Sequence, residues 1–289
     1  MKKAFVTTLI LIIIGLQACV ISYDSVLGFN NEEIIKINLN RSGEYSMKLD
    51  LHNIFVQLKS MSDSLPDNVM KDFVERINMM KVDTTIFFNK EIKQSTTMSE
   101  REKLMFKNGS LNASVHPEEE KGIVTIQLFF DGIDQLNFDR QHIWNFITNN
   151  FEFGCDLPFI SKGFHLSDKN SLDYDVIQRA DKINPDSLIN NPIGSFTILK
   201  ISNKKIKNTF NTLFWTTNPN VQKLFSDLKA DSLYTNQVFY KTTLVLPAEI
   251  RQIEGSGNLS TGKKTIIYKN SLKDIIDNPH RLEFSLEYQ

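Results

Sequence analysis

Cysteine is the residue type whose placement in this chain points most directly to chemistry. The chain has two cysteines, Cys19 and Cys155. Cys19 follows a positive start at Lys2 and Lys3 and an almost wholly apolar run over residues 5–16. This run is shorter than the about 20 apolar residues that cross a bilayer, and it suits the hydrophobic segment of an export signal. The sequence therefore predicts a signal peptide over residues 1–18.

The residues Leu16-Gln17-Ala18-Cys19 resemble the lipobox that signal peptidase II recognises in bacterial lipoprotein precursors. The resemblance implies cleavage before Cys19, a diacylglyceryl thioether on its sulfur and an acyl group on its new amino group. Stable attachment needs two or more chains, because one chain holds a protein to a membrane only marginally. Cys19 is thus the predicted lipidation site. The alternative is an ordinary signal peptide that ends near a cysteine.

The second cysteine, Cys155, is a candidate nucleophile that the surrounding residues argue against. If Cys19 is lipidated, Cys155 has no partner for a disulfide within the chain. His142 or His165 is a conceivable base for a catalytic thiol, because folding brings such partners together. The phenylalanines at 151, 153 and 159 instead indicate burial, where a thiol is inert. No catalytic residue is predicted.

Histidine and acidic residues show no metal-binding spacing. The five histidines are scattered, with no His-x-His or His-Glu-x-x-His and no cysteine pair to complete a zinc set: His52, His116, His142, His165 and His280. Asp131, Asp134 and Asp139 lack the spacing of a calcium loop. Roles in turns and helix caps are expected for them, with Asp139 beginning a helix. No metal and no cofactor are predicted.

The segment from Gly257 to Thr265 imitates a phosphate-binding loop, G-x-x-x-x-G-K-[ST]. Lys264 occupies the Ser/Thr position whose hydroxyl would hold magnesium. The residues that follow, Thr265-Ile266-Ile267-Tyr268, read as a strand, whereas a phosphate loop opens a helix. We therefore expect a glycine-rich hairpin turn and no nucleotide partner.

Composition fits one large or two modest domains with a sizeable core. The chain has 289 residues, 41% of them apolar, including 21 phenylalanines. Its net charge is −1, and the predicted signal carries two lysines and no acid, so the exported part is slightly acidic. That balance gives no global attraction to nucleic acid. The phenylalanines are expected in the core, and a Phe-lined cavity for an apolar ligand is the alternative.

Hydrophobic periodicity predicts strands in hairpins with helices between them. Strands are expected at 35–39 and 45–49 around an Asn-Arg-Ser-Gly turn, then at 84–88, 111–115, 124–130, 195–202, 238–246, 264–269 and 282–288. Pro247 indicates the end of the strand before it, or an edge strand. Helices are expected at 51–58, 69–80, 99–106, 139–147 and 219–228.

These elements predict an α+β fold with a mainly antiparallel β-sheet built from hairpins and helices packed on one face. The expected organisation is a signal peptide at 1–18, a lipidated tether at 19–32 and an α+β envelope domain at 33–289. Polar residues and prolines accumulate within 156–192, where we place a long connection or a subdomain boundary.

Part of the chain resembles uncharacterised exported lipoproteins of Bacteroidetes-type bacteria. The resemblance rests on the opening hairpin (Ile35, Ile37, Gly43, Met47), on Asp83-Thr84-Thr85-Ile86 and on the closing stretch from Leu246 to Ile275. The closing stretch is also distantly similar to LppM-like lipoproteins, with Tyr268 where those often have Trp. The resemblance implies an anchored envelope domain, with lipid or glycolipid contact for some members. It brings no catalytic residues to this chain.

The sequence as a whole favours a lipid-anchored cell-envelope protein that acts as a non-enzymatic binding or accessory module. A protein or lipid of the envelope is the expected partner. The alternatives are a carrier of a lipid or glycolipid and an envelope hydrolase with dispersed catalytic residues. Residues 20–24 lack the acidic cluster that resembles a surface-export signal, and Val20 is not the Asp that resembles an inner-membrane retention signal. We therefore expect the periplasmic face of the outer membrane.

Overall fold

The structure is a computed structural model, which describes residues 30–53, 55–56, 59, 81–94, 98–150, 197–202, 204–212 and 239–289. Its strands are β1 (Asn30–Ile37), β2 (Gly43–Asp50), β3 (Val82–Phe87), β4 (Ser110–His116), β5 (Lys121–Phe130), β6 (Thr197–Ser202), β7 (Lys205–Phe210), β8 (Phe239–Val245), β9 (Ile250–Glu254), β10 (Asn258–Leu259), β11 (Thr265–Ser271) and β12 (Phe284–Tyr288). Its helices are α1 (Phe88–Gln94), α2 (Glu100–Phe106), α3 (Ile133–Asn150) and α4 (Leu272–Asp277), with 3-10 turns at Pro117–Glu119 and Pro279–Leu282.

The larger sheet has eight strands in the order β10-β11-β8-β1-β2-β5-β4-β3. Its neighbours pair antiparallel except β1 and β8, which run parallel. Burial alternates along β5, where Val124, Ile126 and Leu128 face the interior and the residues between them lie nearer the solvent. This period of two lets one face of the sheet build the core.

The smaller sheet has four antiparallel strands in the order β6-β7-β12-β9. Its inner residues Leu199, Ile206 and Leu286 belong to the same hydrophobic cluster as Ile35 and Met47 of the larger sheet. The rings of Tyr268 on β11 and Phe284 on β12 also stack across the two sheets, with centroids 4.1 Å apart and an interplanar angle of 10°. The two sheets therefore share one core.

Side chains at their first turns specify where two of the short helices begin. Ser99 caps α2: its hydroxyl accepts from the Glu102 backbone N–H, and the Glu102 carboxylate accepts from the Ser99 backbone N–H. Ser271 and Asp274 form the same reciprocal pair at the start of α4. Each capping box satisfies backbone donors that a helix start leaves unpaired.

Phenylalanine side chains in the described residues contribute to the packed core. Five of them belong to its central cluster, each at most 5% exposed: Phe55, Phe88, Phe106, Phe130 and Phe284. Phe88 and Phe106 pack edge to face, with ring centroids 5.0 Å apart. Because Phe88 begins α1 and Phe106 ends α2, this contact packs the start of α1 against the end of α2. The expectation that phenylalanine builds the core is confirmed for these residues.

The predicted fold class is confirmed, because the described residues form an α+β structure dominated by largely antiparallel sheets. The hairpins β1–β2 and β4–β5 lie where the sequence predicts them, and α2 follows Ser99. β8 ends before Pro247 and lies between β11 and β1, so the proline marks the end of an internal strand.

Several boundaries differ from the sequence prediction. β1 begins at Asn30 and includes the last residues of the predicted tether. The helix predicted to begin at Asp139 begins at Ile133, so Asp139 lies within α3 and caps nothing. β7 was not predicted, because the strand is short and one of its two buried inward positions is the polar Asn208, so only Ile206 marks the alternation. The helices predicted at 69–80 and 219–228 lie outside the described residues.

In the part of the chain that the structure describes, no helix is both long enough and apolar enough to span a membrane.

Candidate functional site

Two buried polar residues on neighbouring strands interrupt the apolar inner face of the larger sheet. Five residues lie in register across five strands: the first three, Leu111, Ile126 and Met47, are apolar, and the last two are Glu33 on β1 and Thr242 on β8. Glu33 is 0% exposed and Thr242 is 8% exposed. A carboxylate at such a position is costly unless charges and hydrogen bonds compensate it. The inner face must therefore supply a partner for Glu33.

Arg140 of α3 is that partner. Its Nε donates to Glu33 Oε2 and its Nη2 to Glu33 Oε1, both at 2.9 Å, so the pair is bidentate. The same Nη2 donates to Thr197 Oγ1 on β6 at 3.0 Å, and Thr242 Oγ1 donates to Glu33 Oε1 at 2.9 Å. We call Glu33, Arg140, Thr197 and Thr242 the buried polar cluster. It joins both sheets and the longest described helix.

The electrostatics of the buried polar cluster favour the charged form of Arg140. Burial lowers the pKa of Arg140, but the charge and hydrogen bonds of Glu33 outweigh it and hold that pKa above its ordinary value. Both Glu33 oxygens already accept hydrogen bonds, and both charged side chains are 0% exposed. The pair cannot meet a substrate in solvent, and its contacts link β1, α3, β6 and β8, so it acts as a structural clamp.

A second contact from the same side of α3 fastens the helix to the edge of the smaller sheet. Asn137 Nδ2 donates to the backbone oxygen of Leu199 at 2.8 Å, and the Leu199 backbone N–H donates to Asn137 Oδ1 at 3.0 Å. Asn137 therefore imitates a neighbouring strand along β6, which is an edge strand. Asn137 and Arg140 are three residues apart, a spacing that puts them on one face of the helix.

Asp139 is the one described acid whose environment resembles that of a catalytic group. It is 0% exposed, and neither carboxyl oxygen has a hydrogen-bond partner among the described residues. Burial raises its pKa to about 8, against the opposing charge of Arg101. A raised pKa suits a general acid, but such a group must also reach the substrate. Nothing in the described structure presents Asp139 to solvent.

On the outer face of the larger sheet, Asp83, Ser114 and His116 form a hydrogen-bonded group. Ser114 Oγ donates to Asp83 Oδ1 at 2.7 Å, and His116 Nε2 lies 3.0 Å from Asp83 Oδ2. The hydrogen bonds from Ser114 and His116 lower the pKa of Asp83. In a hydrolytic triad the histidine contacts the serine, whereas here the aspartate lies between them. This group therefore has the residue types of a triad without its geometry.

The other described histidines contact neighbouring main-chain or acidic groups. His52 Nδ1 lies 2.7 Å from the Glu120 backbone oxygen, and His142 Nδ1 lies 2.9 Å from that of Phe138. His280 Nδ1 lies 3.4 Å from Glu283 Oε1. Within the described residues no three His, Cys, Asp or Glu side chains come together as a metal site. Cys19, Cys155 and His165 lie outside the described residues.

The segment that imitates a phosphate loop forms a hairpin turn. Asn258 and Leu259 of β10 pair antiparallel with Ile267 and Ile266 of β11. The segment is followed by a strand, as the sequence predicts, and not by the helix that a phosphate loop requires. A Cβ atom at Gly257 would approach Tyr268 Cε1 to 2.6 Å, so this glycine serves close packing of the turn on β11.

Sequence reasoning missed the buried polar cluster, although its signals are visible. Glu33 continues the inward-facing alternation of Ile35 and Ile37, and Arg140 lies on the apolar helical stripe of Leu136 and Ile143. A charged residue at a core position of a strand and another on a core-facing helix indicate a buried pair. The identity of the two partners depends on folding, since 107 positions separate them.

No family model matches this chain. Searches of curated proteins and of solved structures also gave no match.

Proposed function

We propose that this protein is a lipid-anchored component of the bacterial cell envelope that acts as a non-enzymatic binding or accessory module. The observation that carries the proposal is the order of the first nineteen residues: two lysines, an apolar run and Leu16-Gln17-Ala18-Cys19. That order matches the requirements of an export signal that ends at a lipid-accepting thiol. The thiol of Cys19 is the attachment site in this proposal.

The position of the first strand is compatible with such an anchor. β1 begins at Asn30, which leaves residues 20–29 between Cys19 and the fold. Ten residues reach at most about 35 Å when fully extended. The lipid and the folded domain are therefore separated by enough chain for the lipid to insert while the domain stays in water.

The non-enzymatic part of the proposal is supported by what the described polar groups do. Glu33 and Arg140 hold elements together in the core, and Asp83 lies between the residues that a triad would place in contact. The contacts of these groups stabilise the fold, and their arrangement does not call for a catalytic role. We place the protein on the periplasmic face of the outer membrane, because residues 20–24 lack the sorting patterns expected for the other locations.

The anchor is tested by Cys19→Ala in the full chain, with Cys155→Ala as the matched control. We expect Cys19→Ala to leave the membrane fraction or to accumulate with its signal uncut, and Cys155→Ala to remain processed and membrane-bound. Cell fractionation and metabolic labelling with a fatty acid measure both properties. Processed, labelled and membrane-bound Cys19→Ala protein would overturn the proposal.

The location is tested by adding protease to intact cells and to cells with a permeabilised outer membrane. We expect digestion only after permeabilisation, because the periplasmic face is shielded by the outer membrane. Ready digestion on intact cells would place the domain on the cell surface instead.

A further inference from the structure

The hairpin formed by β6 and β7 carries positive charge without acidic residues. It contains Lys200, Lys204, Lys205 and Lys207 and no Asp or Glu between Thr197 and Phe210. No Asp or Glu occurs anywhere in residues 187–226, although the whole chain has a net charge of −1. This hairpin therefore carries a local excess of positive charge in a protein that is nearly neutral overall.

Two of these lysines lie directly opposite each other. Lys200 of β6 pairs in register with Lys207 of β7, and both side chains are exposed on the outer face of the smaller sheet. Like charges in directly opposed positions destabilise an antiparallel pair. Neither lysine has an acidic partner within the described residues. The fold thus tolerates an unfavourable pair of cations that a bound anionic surface would relieve.

The acids nearest in the sheet leave this pair uncompensated. Lys205 contacts Glu287 at 3.2 Å, which balances one charge of the hairpin. Lys207 is in register with Ser285, and the acids two residues either side of Ser285 are engaged elsewhere: Glu287 with Lys205, and Glu283 with the Phe210 backbone N–H. Glu254, in register with Ser285, lies two strands from Lys207, at about 10 Å. A distance of about 10 Å is close to the screening length in physiological salt. We call Lys200, Lys204 and Lys207 the basic hairpin face.

We infer that the basic hairpin face docks on the anionic phospholipid headgroups of the membrane that holds the anchor. The inference rests on the proposed lipid anchor, which would keep the face close to a bilayer at high effective concentration. Clustered lysines near a negative membrane surface each add to the attraction, which fades within a screening length. An anionic bilayer is favoured over an acidic protein because the anchor supplies the bilayer permanently.

The fold places the basic hairpin face within reach of such a membrane. Arg140 Nη2 contacts both Glu33, near the start of β1, and Thr197, at the start of β6. β6 has six residues, so the tip of the hairpin lies about 20 Å further along. Residues 20–29 can extend about 35 Å, which is enough for lipid insertion and hairpin contact at the same time.

The test uses the exported chain with Cys19→Ser, which cannot carry lipid, so that binding reports the surface alone. Vesicles of phosphatidylcholine, and of phosphatidylcholine mixed equally with phosphatidylglycerol, are compared in sedimentation assays. We expect binding to the anionic vesicles only, and weaker binding as salt is raised. The double variant Lys200→Gln/Lys207→Gln should bind the anionic vesicles about ten- to thirty-fold more weakly.

The matched control is Lys90→Gln/Lys107→Gln, which removes two exposed lysines elsewhere and should bind as the parent does. Melting temperatures verify folding, and the Lys200→Gln/Lys207→Gln variant should melt no lower than its parent because a like-charge contact is lost. Equal binding by that variant and its parent would overturn the inference, as would parent binding to an acidic polypeptide but not to anionic vesicles. The outcome is separable from the anchor, which the Cys19→Ala fractionation tests independently.

Discussion

Asp139 places an ionisable carboxyl group in the interior without a hydrogen-bond partner among the described residues. Burial raises its pKa to about 8, whereas the ordinary value in an unfolded chain is about 3.9. Between these values the folded protein keeps a proton that the unfolded chain releases. The contribution of this group to stability is therefore fully present below about pH 4 and is lost as the pH rises to about 8.

Asp139→Asn tests this linkage, since an amide has a similar shape and does not titrate. We expect the melting temperature of the variant, relative to the parent, to increase from pH 5 to pH 8. Thermal denaturation at several pH values measures the difference. A constant difference across this range would show that Asp139 does not hold its proton in the folded protein.

The buried pair of Glu33 and Arg140 predicts non-additive losses of stability. Either Glu33→Leu or Arg140→Met alone leaves an uncompensated charge in the core and should cost about 3–5 kcal/mol. The double variant Glu33→Leu/Arg140→Met leaves no such charge, so its loss should be well below the sum of the single losses. Urea denaturation gives the three free energies of unfolding. If the loss in the double variant equals the sum of the two single losses, Glu33 and Arg140 do not stabilise the core as a pair.

Among the elements, the β1–β2 hairpin depends on a glycine at its closest approach. A Cβ atom at Gly43 would collide with the backbone oxygen of Lys36, and a backbone atom in a sheet cannot easily move away. Gly262, in the exposed turn before β11, has no atom within 4 Å of the corresponding position. The two glycines therefore form a matched pair for the same substitution.

Gly43→Ala should destabilise the protein by several kcal/mol or prevent folding. The added methyl group would overpack against a strand backbone that cannot move, and overpacking is one of the changes that lower the free energy of unfolding most. Gly262→Ala should stay within about 0.5 kcal/mol of the parent. Urea denaturation followed by circular dichroism compares them. Equal stability of the two variants would mean that β1 and β2 do not approach as described.

Local elements of this fold could be predicted from sequence, while its long-range pairings could not. The alternation of Ile35 and Ile37 and the serine cap of α2 act over a few residues, so the sequence reveals them. The parallel pairing of β1 with β8 joins segments that are about 200 residues apart in the sequence. For example, the Phe239 backbone N–H donates to Asn30 Oδ1, and 209 positions separate these two residues. No local pattern encodes such a partner. The same holds for Glu33 and Arg140, whose roles depend on both sheets.

In the molecule as a whole, two sheets share one core and a buried charge pair joins them to α3. This architecture accounts for the burial of Glu33 and Arg140, and it leaves a basic hairpin on the surface. An anchor on Cys19 would hold that surface near a bilayer. Lipidation of Cys19 is therefore the central claim, because both the proposed location and the proposed membrane contact depend on it.

The most direct test is the intact mass of the protein extracted from membranes with detergent. We predict a chain that begins at Cys19 and carries a diacylglyceryl group on sulfur, with or without a further acyl chain on the amino group. Fragmentation should place the added mass on Cys19, and a thiol-alkylating reagent should not label that residue. A mature chain that begins elsewhere, or a Cys19 thiol that is free to be alkylated, would contradict the account.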